Sequence, residues 1–290
     1  MSNTCRLIGI NRQRYYRAIA KQKQWSSRAE QVLVLVKGVR TRMPQLGVKK
    51  LYHLLRPQLA ELNVGRDKLF DILRANRLLI KAKRQYHVTT DSHHRFRKHK
   101  NLIEGMEIKR PEQVVVCDIT YVGVREKPMY LALVTDAYSK KVMGYNVSQS
   151  LGAKGATSAL KMAVKNRSYP RDELIHHSDR GVQYCCDIYQ AALRKGGIKC
   201  SMTEKYDPYQ NAVAERINGI LKQEFIGKTS TVDFNLMKSL IADSIEIYNN
   251  ERPHYSGHML TPQKMHQQSK VVMRTYKKQK TEPHKKVELS

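Results

Sequence analysis

The ten residues QVVVCDITYV, 113–122, constrain this chain more than any other stretch. β-Branched and aromatic residues dominate them, which marks a strand. Alternation puts Val114, Val116, Asp118, Thr120 and Val122 on one face, and Val115, Cys117, Ile119 and Tyr121 on the other. Both faces are largely apolar, so the strand belongs inside a sheet that is covered on both sides. Two more strands follow closely, MYLALVTD (129–136) and KVMGYNVSQ (141–149), joined by VREKP and AYSK. Connections this short make an antiparallel meander. The texture then alternates. GAKGATSALKMAVKNR (152–167) reads as a helix with Ala159, Met162 and Ala163 inward, and ELIHHSD (173–179) as a strand. CDIYQAALRKGG (186–197) is a helix ending at glycines, IKCSM (198–202) a strand, and NAVAERINGILKQEF (211–225) a helix. The order β-β-β-α-β-α-β-α predicts an α/β fold, a mixed sheet flanked by helices.

The flanks differ. The first hundred residues read as short helices. Asn11 is placed to cap the first, GVKKLYHLL (47–55) is a second, and NVGRDKLFDILRANRLL (63–79) holds a third with Val64, Leu69, Ile72 and Leu73 on one face. Short helices paired about a glycine-containing turn suggest helix-turn-helix units, although a plain helical bundle reads the same way. The division expected is a helical, helix-turn-helix-like DNA-binding region at 1–85, a basic linker at 86–111, a catalytic core at 112–225, a helical extension of the core at 226–268 and a basic tail at 269–290.

Charge sharpens that division. The net charge is +28. Residues 1–110 hold 26 Lys and Arg against 7 Asp and Glu, 111–263 hold 19 against 16, and 264–290 hold 8 against 2. A nearly neutral middle between basic arms points to a polyanion, DNA or RNA. A ribosome-associated or merely very soluble protein is the blander reading. No apolar run is long enough to span a membrane, and the N-terminal residues lack the apolar stretch of a secretory signal. The five cysteines include no C-x-x-C, and His93, His94 and His99 have no cysteine pair at ligand spacing. Neither a disulfide framework nor a zinc site is expected. The chain reads as cytoplasmic, at the nucleoid.

Three carboxylates stand out. Asp118 lies in a strand apolar on both faces, where a charge is costly unless it is paired or binds a cation. A satisfied structural aspartate is the alternative. Asp179 ends a strand before Arg-Gly, a place that also suits a turn aspartate. Glu215 shares a helix side with Asn211, Asn218, Gly219 and Lys222, opposite Val213, Ile217, Ile220 and Leu221. Glu224, nine residues on, falls about half a turn away and reads as a solvated or salt-bridged charge. Two strand-end aspartates and a helical glutamate can converge at one sheet edge. Hard oxygen ligands of this kind suit Mg²⁺ or Mn²⁺. Two such ions about 4 Å apart can activate an attacking oxygen and stabilise a leaving one, the chemistry of phosphoryl transfer.

QVVVCDITYV, HHSDRGVQY (176–184) and DPYQNAVAERINGILKQEF (207–225) resemble the three catalytic motifs of DDE-type transposases and retroviral-type integrases. Within that group they resemble the second-open-reading-frame (OrfB) transposases of the insertion-sequence "IS-three" family. The 35 residues between Asp179 and Glu215 match its spacing, and YNNERPHYSGHMLTP (248–262) resembles its C-terminal signature. The first hundred residues resemble its helix-turn-helix arm. The resemblance implies an RNase H-like integrase catalytic core and two divalent ions, Mg²⁺ or Mn²⁺, held by Asp118, Asp179 and Glu215. It implies in-line attack by water or a 3′-OH on DNA at the ends of a bacterial insertion element. It also implies a homo-oligomer that joins two ends, and an upstream-frame protein as partner. Val115 stands where the family usually carries Trp, and Gly257 and His258 interrupt a place where leucine is common.

Around the triad, Lys222, His177, Ser178, Arg180, Tyr209 and Asn211 are candidates for DNA contact, each with a structural reading beside it. Asp136 reads as a turn residue that could mimic a metal ligand, and the Arg252-Pro253-His254 group as a helix-capping element beneath the glutamate helix. A non-catalytic DNA-binding regulator or remnant transposase is the alternative function. A ribonuclease of the same fold fits less well, because there the helical glutamate usually falls between the aspartates in sequence.

Overall fold

The computed structural model describes residues 9, 11–80, 98–124, 126–204, 211–227 and 233–273. The strand-forming middle of the chain makes one five-stranded sheet in the order β3-β2-β1-β4-β5. β1 (Val114–Val124), β2 (Lys127–Asp136) and β3 (Val142–Ser148) form the antiparallel meander. β4 (Ile175–Ser178) lies parallel to β1, and β5 (Lys199–Met202) parallel to β4. β1 is thus central, with an antiparallel neighbour on one side and a parallel one on the other. Val116 pairs with His177, so Asp118, within β1, and Asp179, just past the end of β4, lie level on adjacent strands.

One face of the sheet carries α5 (Ala153–Lys165), the short α6 (Val182–Cys185) and α7 (Asp187–Lys195). Val115, Cys117, Ala132, Val134 and Met143 pack there against Ala159, Leu160, Ala163 and Leu193. Met162, expected inward, is exposed, and Leu160 takes the inward place. Gly144 permits this contact, because a Cβ there would collide with the Ala159 carbonyl oxygen.

The opposite face carries α8 (Ala212–Ile220) and α9 (Phe234–Asn250). The helix predicted over 211–225 is α only to Ile220 and continues as a π-turn over Leu221–Ile226. Leu131 and Leu133 of β2, Ile217 and Leu221, Ile241 and Tyr248 share one core with Val32, Leu51 and Leu69 of the N-terminal helices. That region is α1 (Arg12–Arg42), α2 (Val48–Leu54), α3 (Arg56–Glu61) and α4 (Arg66–Ala75). The Asn11 side chain accepts the Gln13 N–H at 2.8 Å, the predicted cap. The helix it starts runs for 31 residues rather than ending early. Nothing before Pro44 breaks it except Gly38, which a helix buried at Val32 and Val36 tolerates.

Part of the predicted linker is fitted to the sheet. The Met202 N–H donates to the Lys100 carbonyl at 3.3 Å, and the Leu102 N–H to Ser201 Oγ at 2.9 Å. Ile103 and Ile108 cover Val114, Val116 and Ile175. At the far end, α10 (Pro262–His266) is anchored to the sheet by a buried polar cluster. His266 reaches Glu112 Oε1 at 3.2 Å and Ser139 Oγ at 3.1 Å, and Arg167 Nε donates to Glu112 Oε2 at 2.9 Å. Among the described residues no helix is long and apolar enough to cross a membrane.

Candidate active site

The site lies where β1 runs past the end of β4. Asp118 is half-buried there. Its Oδ2 accepts Asn218 Nδ2 at 2.6 Å and its Oδ1 accepts the Ile119 N–H at 2.9 Å. Burial, then the charge of Asp179, push its pKa up to about 7, with a smaller push from Glu215; the two hydrogen bonds oppose the rise without cancelling it. Asp179 Oδ1 accepts the Gly181 N–H at 3.0 Å, the local turn that Asp-Arg-Gly favours. A Cβ on Gly181 would stand 3.0 Å from the same oxygen, so the glycine leaves that carboxylate room.

Glu215 sits in the first turn of α8 and is exposed at the rim, with its pKa raised by partial burial. Among the described residues no three His, Cys, Asp or Glu side chains stand close enough to hold a metal ion. Asp118 and Asp179 are neighbours through their charges, and Glu215 is coupled to Asp118 more weakly. The donors themselves fit a hard divalent cation. They are carboxylate oxygens, and Asp118 is driven toward protonation by like charges that a cation would offset.

α8 is held on β1 by amides. Asn211 Nδ2 donates to the Cys117 carbonyl at 3.2 Å, one residue before Asn218 takes Asp118. Both asparagines are buried, and the Oδ1 of each has no partner among the described residues. Lys222 Nζ donates to Thr120 Oγ1 at 3.3 Å, one step along the face that carries Asp118. Burial lowers its pKa and the Asp118 charge opposes that.

The remaining candidates separate by depth. His177 is fully buried, with Nδ1 at 2.9 Å from Ser201 Oγ. Ser178 is buried and donates to the Asp179 carbonyl at 3.0 Å. Arg180 is half-buried beside Asp179. Tyr209 lies outside the described residues. Asp136 is buried in a separate cluster, accepting the Glu112 N–H at 2.8 Å and both the N–H and Oγ of Ser139 at 2.7 and 2.6 Å. Sequence reasoning put Asn218 on the Glu215 side of the helix but assigned it no partner; its amide beside two acids is the signal that could have found the Asp118 contact. Glu224, expected as a solvated or salt-bridged charge, is salt-bridged, to Arg252 at 2.7 Å and Lys50 at 3.6 Å.

Residues 108–208 match a family model described as Integrase core domain, and 196–262 match a second model of the same description. The chain is 34% identical over 257 residues to the insertion element IS600 uncharacterized 31 kDa protein of Shigella sonnei, covering 86% of this chain and 92% of that one. It is 31% identical to transposase InsF for insertion sequence IS3A of Escherichia coli K12, covering 86% and 88%. The catalytic core domain of HTLV-2 integrase, solved in complex with magnesium, overlays at a TM-score of 0.43 and 18% identity, over 54% of this chain and 97% of that one. The sheet order and the integrase-core match define a DDE-type polynucleotidyl transferase on an RNase H-like fold. The chain belongs to the IS3 family of transposases.

Proposed function

We propose that this chain cleaves the ends of its insertion element and joins them to target DNA, in a divalent-metal-dependent reaction carried by Asp118, Asp179 and Glu215. The observation that carries this is the placement of Asp118, within β1, level with Asp179 at the end of β4; burial, then the Asp179 charge and more weakly Glu215, raise Asp118 to about 7. Two Mg²⁺ or Mn²⁺ ions held by these carboxylates would activate the attacking water or 3′-OH and offset charge on the leaving oxygen. The protein's own part is orientation. Asn218 and the Ile119 N–H hold Asp118, and the Gly181 N–H holds Asp179.

Lys222 and Arg180, the basic groups beside the acids, are assigned to DNA phosphates. Tyr209 is assigned to the DNA end as well. His177, Ser178 and Asn211 act from inside, holding the strand end and the helix start. The basic N-terminal region binds the element end, so log affinity should fall steeply with log salt; a flat plot would contradict phosphate-dominated binding. A homo-oligomer brings two ends together, with an upstream-frame protein as a further partner, and the work is done at the nucleoid.

The test is Glu215→Gln. DNA-end binding should persist and strand transfer should disappear. Strand transfer retained in that variant would overturn the assignment of the triad. A DNA-binding regulator without catalysis is the second reading, favoured by the exposed place of Glu215. Wild-type protein that binds element ends and never nicks them with Mg²⁺ or Mn²⁺ would establish it.

A further inference from the structure

Glu224 follows Glu215 by nine residues and sits on the π-turn that continues α8. Arg252 grips it with two bonds, Nε to Oε2 at 2.8 Å and Nη2 to Oε1 at 2.7 Å. Arg252 is 1% exposed, and its Nη1 is spent on His254 Nε2 at 2.9 Å, so its charge is directed at Glu224. Lys50 of α2 approaches the same carboxylate at 3.6 Å, and the Gln45 N–H donates to the Glu224 carbonyl at 3.3 Å. One residue of the π-turn therefore meets the C-terminal segment after α9 and the N-terminal helices at once.

A π-turn holds about one residue more per turn than an α-helix, and such turns cluster at functional sites. Rewinding it to α would turn the preceding helix by about 100° and move it by about 1.5 Å. The helix it would move carries Glu215 and Asn218, and Asn218 is the direct partner of Asp118. A buried ion pair is weak evidence for stability alone, because desolvation offsets its attraction; one that holds a particular backbone geometry has a different use.

We propose that Glu224, Arg252 and Lys50 are positioning residues for strand transfer, whose ion-pair cluster holds the π-turn, sets Glu215 and Asn218 against Asp118, and ties that placement to docking of the N-terminal helices. The proposal rests on the reading of Glu215 as a catalytic carboxylate.

Full-length Glu224→Gln, Lys50→Met and Glu215→Gln are compared with wild type by thermal melting, DNA-end affinity, Mn²⁺ binding followed by EPR without DNA, and strand transfer of pre-cleaved ends. Glu224→Gln should weaken Mn²⁺ binding about tenfold and lower strand-transfer turnover, with DNA-end affinity unchanged. Lys50→Met should move the same two readouts in the same direction by less, and excess Mn²⁺ should restore part of the turnover. If Glu224→Gln does not fold, Lys50→Met decides. Wild-type Mn²⁺ affinity and turnover in the folded variants, with Glu215→Gln inactive, would overturn the positioning role alone. Full strand transfer by Glu215→Gln would overturn the catalytic reading beneath it.

Discussion

Two acidic clusters flank the same strand, and they are built in opposite ways. At the start of β1, Glu112 is surrounded by donors. Arg167, His266 and the N–H groups of Ser168 and Tyr169 all reach its carboxylate. Burial would raise its pKa, but those bonds outweigh it and hold it down at about 2. Glu112 even keeps a left-handed φ of 53°, which non-glycine residues seldom adopt. Four residues into β1, Asp118 has two donors, and burial, then its acidic neighbours, raise it to about 7. The first cluster is closed and ties α10 to the sheet. The second stays open, with its acids repelling one another, which is the condition the proposed cation site requires.

The largest effect should come from opening the closed cluster. Arg167→Met would leave Glu112 buried without its arginine partner, at a cost of about 3–5 kcal/mol in denaturant unfolding. Asp118→Asn should do the reverse in metal-free protein. It removes a charge that its neighbours repel, so the melting temperature should hold or rise while strand transfer is abolished. Equal destabilisation by the two substitutions would break the comparison.

Opposite pKa shifts require opposite pH slopes. For Glu112 the folded value of about 2 lies below the ordinary 4.5, so its contribution is present above about 4.5 and is lost as pH falls toward 2. Asp118 is raised, so its penalty is absent below about 3.8 and grows as pH climbs through about 7. His266 is raised by Asp136 and Glu112 against its burial, with Lys141 opposing. Its contribution is present below about 6.5 and also fades as pH rises through its folded value. Melting temperature against pH should therefore fall on both sides. Glu112→Gln should flatten the acid limb, and Asp118→Asn should flatten part of the neutral one. An unchanged acid limb in Glu112→Gln would remove that carboxylate from the account.

Much of the core was legible because its signals are local. Period-2 alternation put Asp118 inside a strand, the end of an apolar run put Asp179 after one, and the sheet has both there. The contacts that complete the two clusters are not local. His266 meets Glu112 across 154 positions, and Asn218 meets Asp118 across 100. No periodicity encodes such a pair, and each side chain alone reads as surface. The segment after Lys98 looked like a linker because its ties to the sheet run largely through backbone groups, as at Lys100 and Leu102, which leave no pattern in side chains. The π-turn was hidden for the same reason, since α and π windings present nearly the same polar and apolar order.

A smaller effect probes the open cluster. Gly181→Ala would place a methyl 3.0 Å from both Asp179 Oδ1 and Gln183 Oε1, so the carboxylate must shift slightly. Stability should change by no more than about 1 kcal/mol, since the backbone at this buried glycine is not left-handed and the side-chain ends it would meet can give way. Strand-transfer turnover should fall several-fold with DNA-end affinity unchanged. A loss of stability without loss of turnover would place Asp179 with the structural acids.

The smallest effect lies beside the closed cluster. Val115, where related transposases usually carry Trp, lines a cavity of about 10 Å³ with Leu160, Leu174, Glu112 and Arg167. The space admits a methyl group but not an indole, and filling it should strengthen packing around the buried pair. Val115→Ile should raise stability by about 0.5–1 kcal/mol in denaturant unfolding and leave strand transfer untouched. Destabilisation would mean that the wall beside Arg167 is already closed-packed, and that the cluster tolerates no added volume.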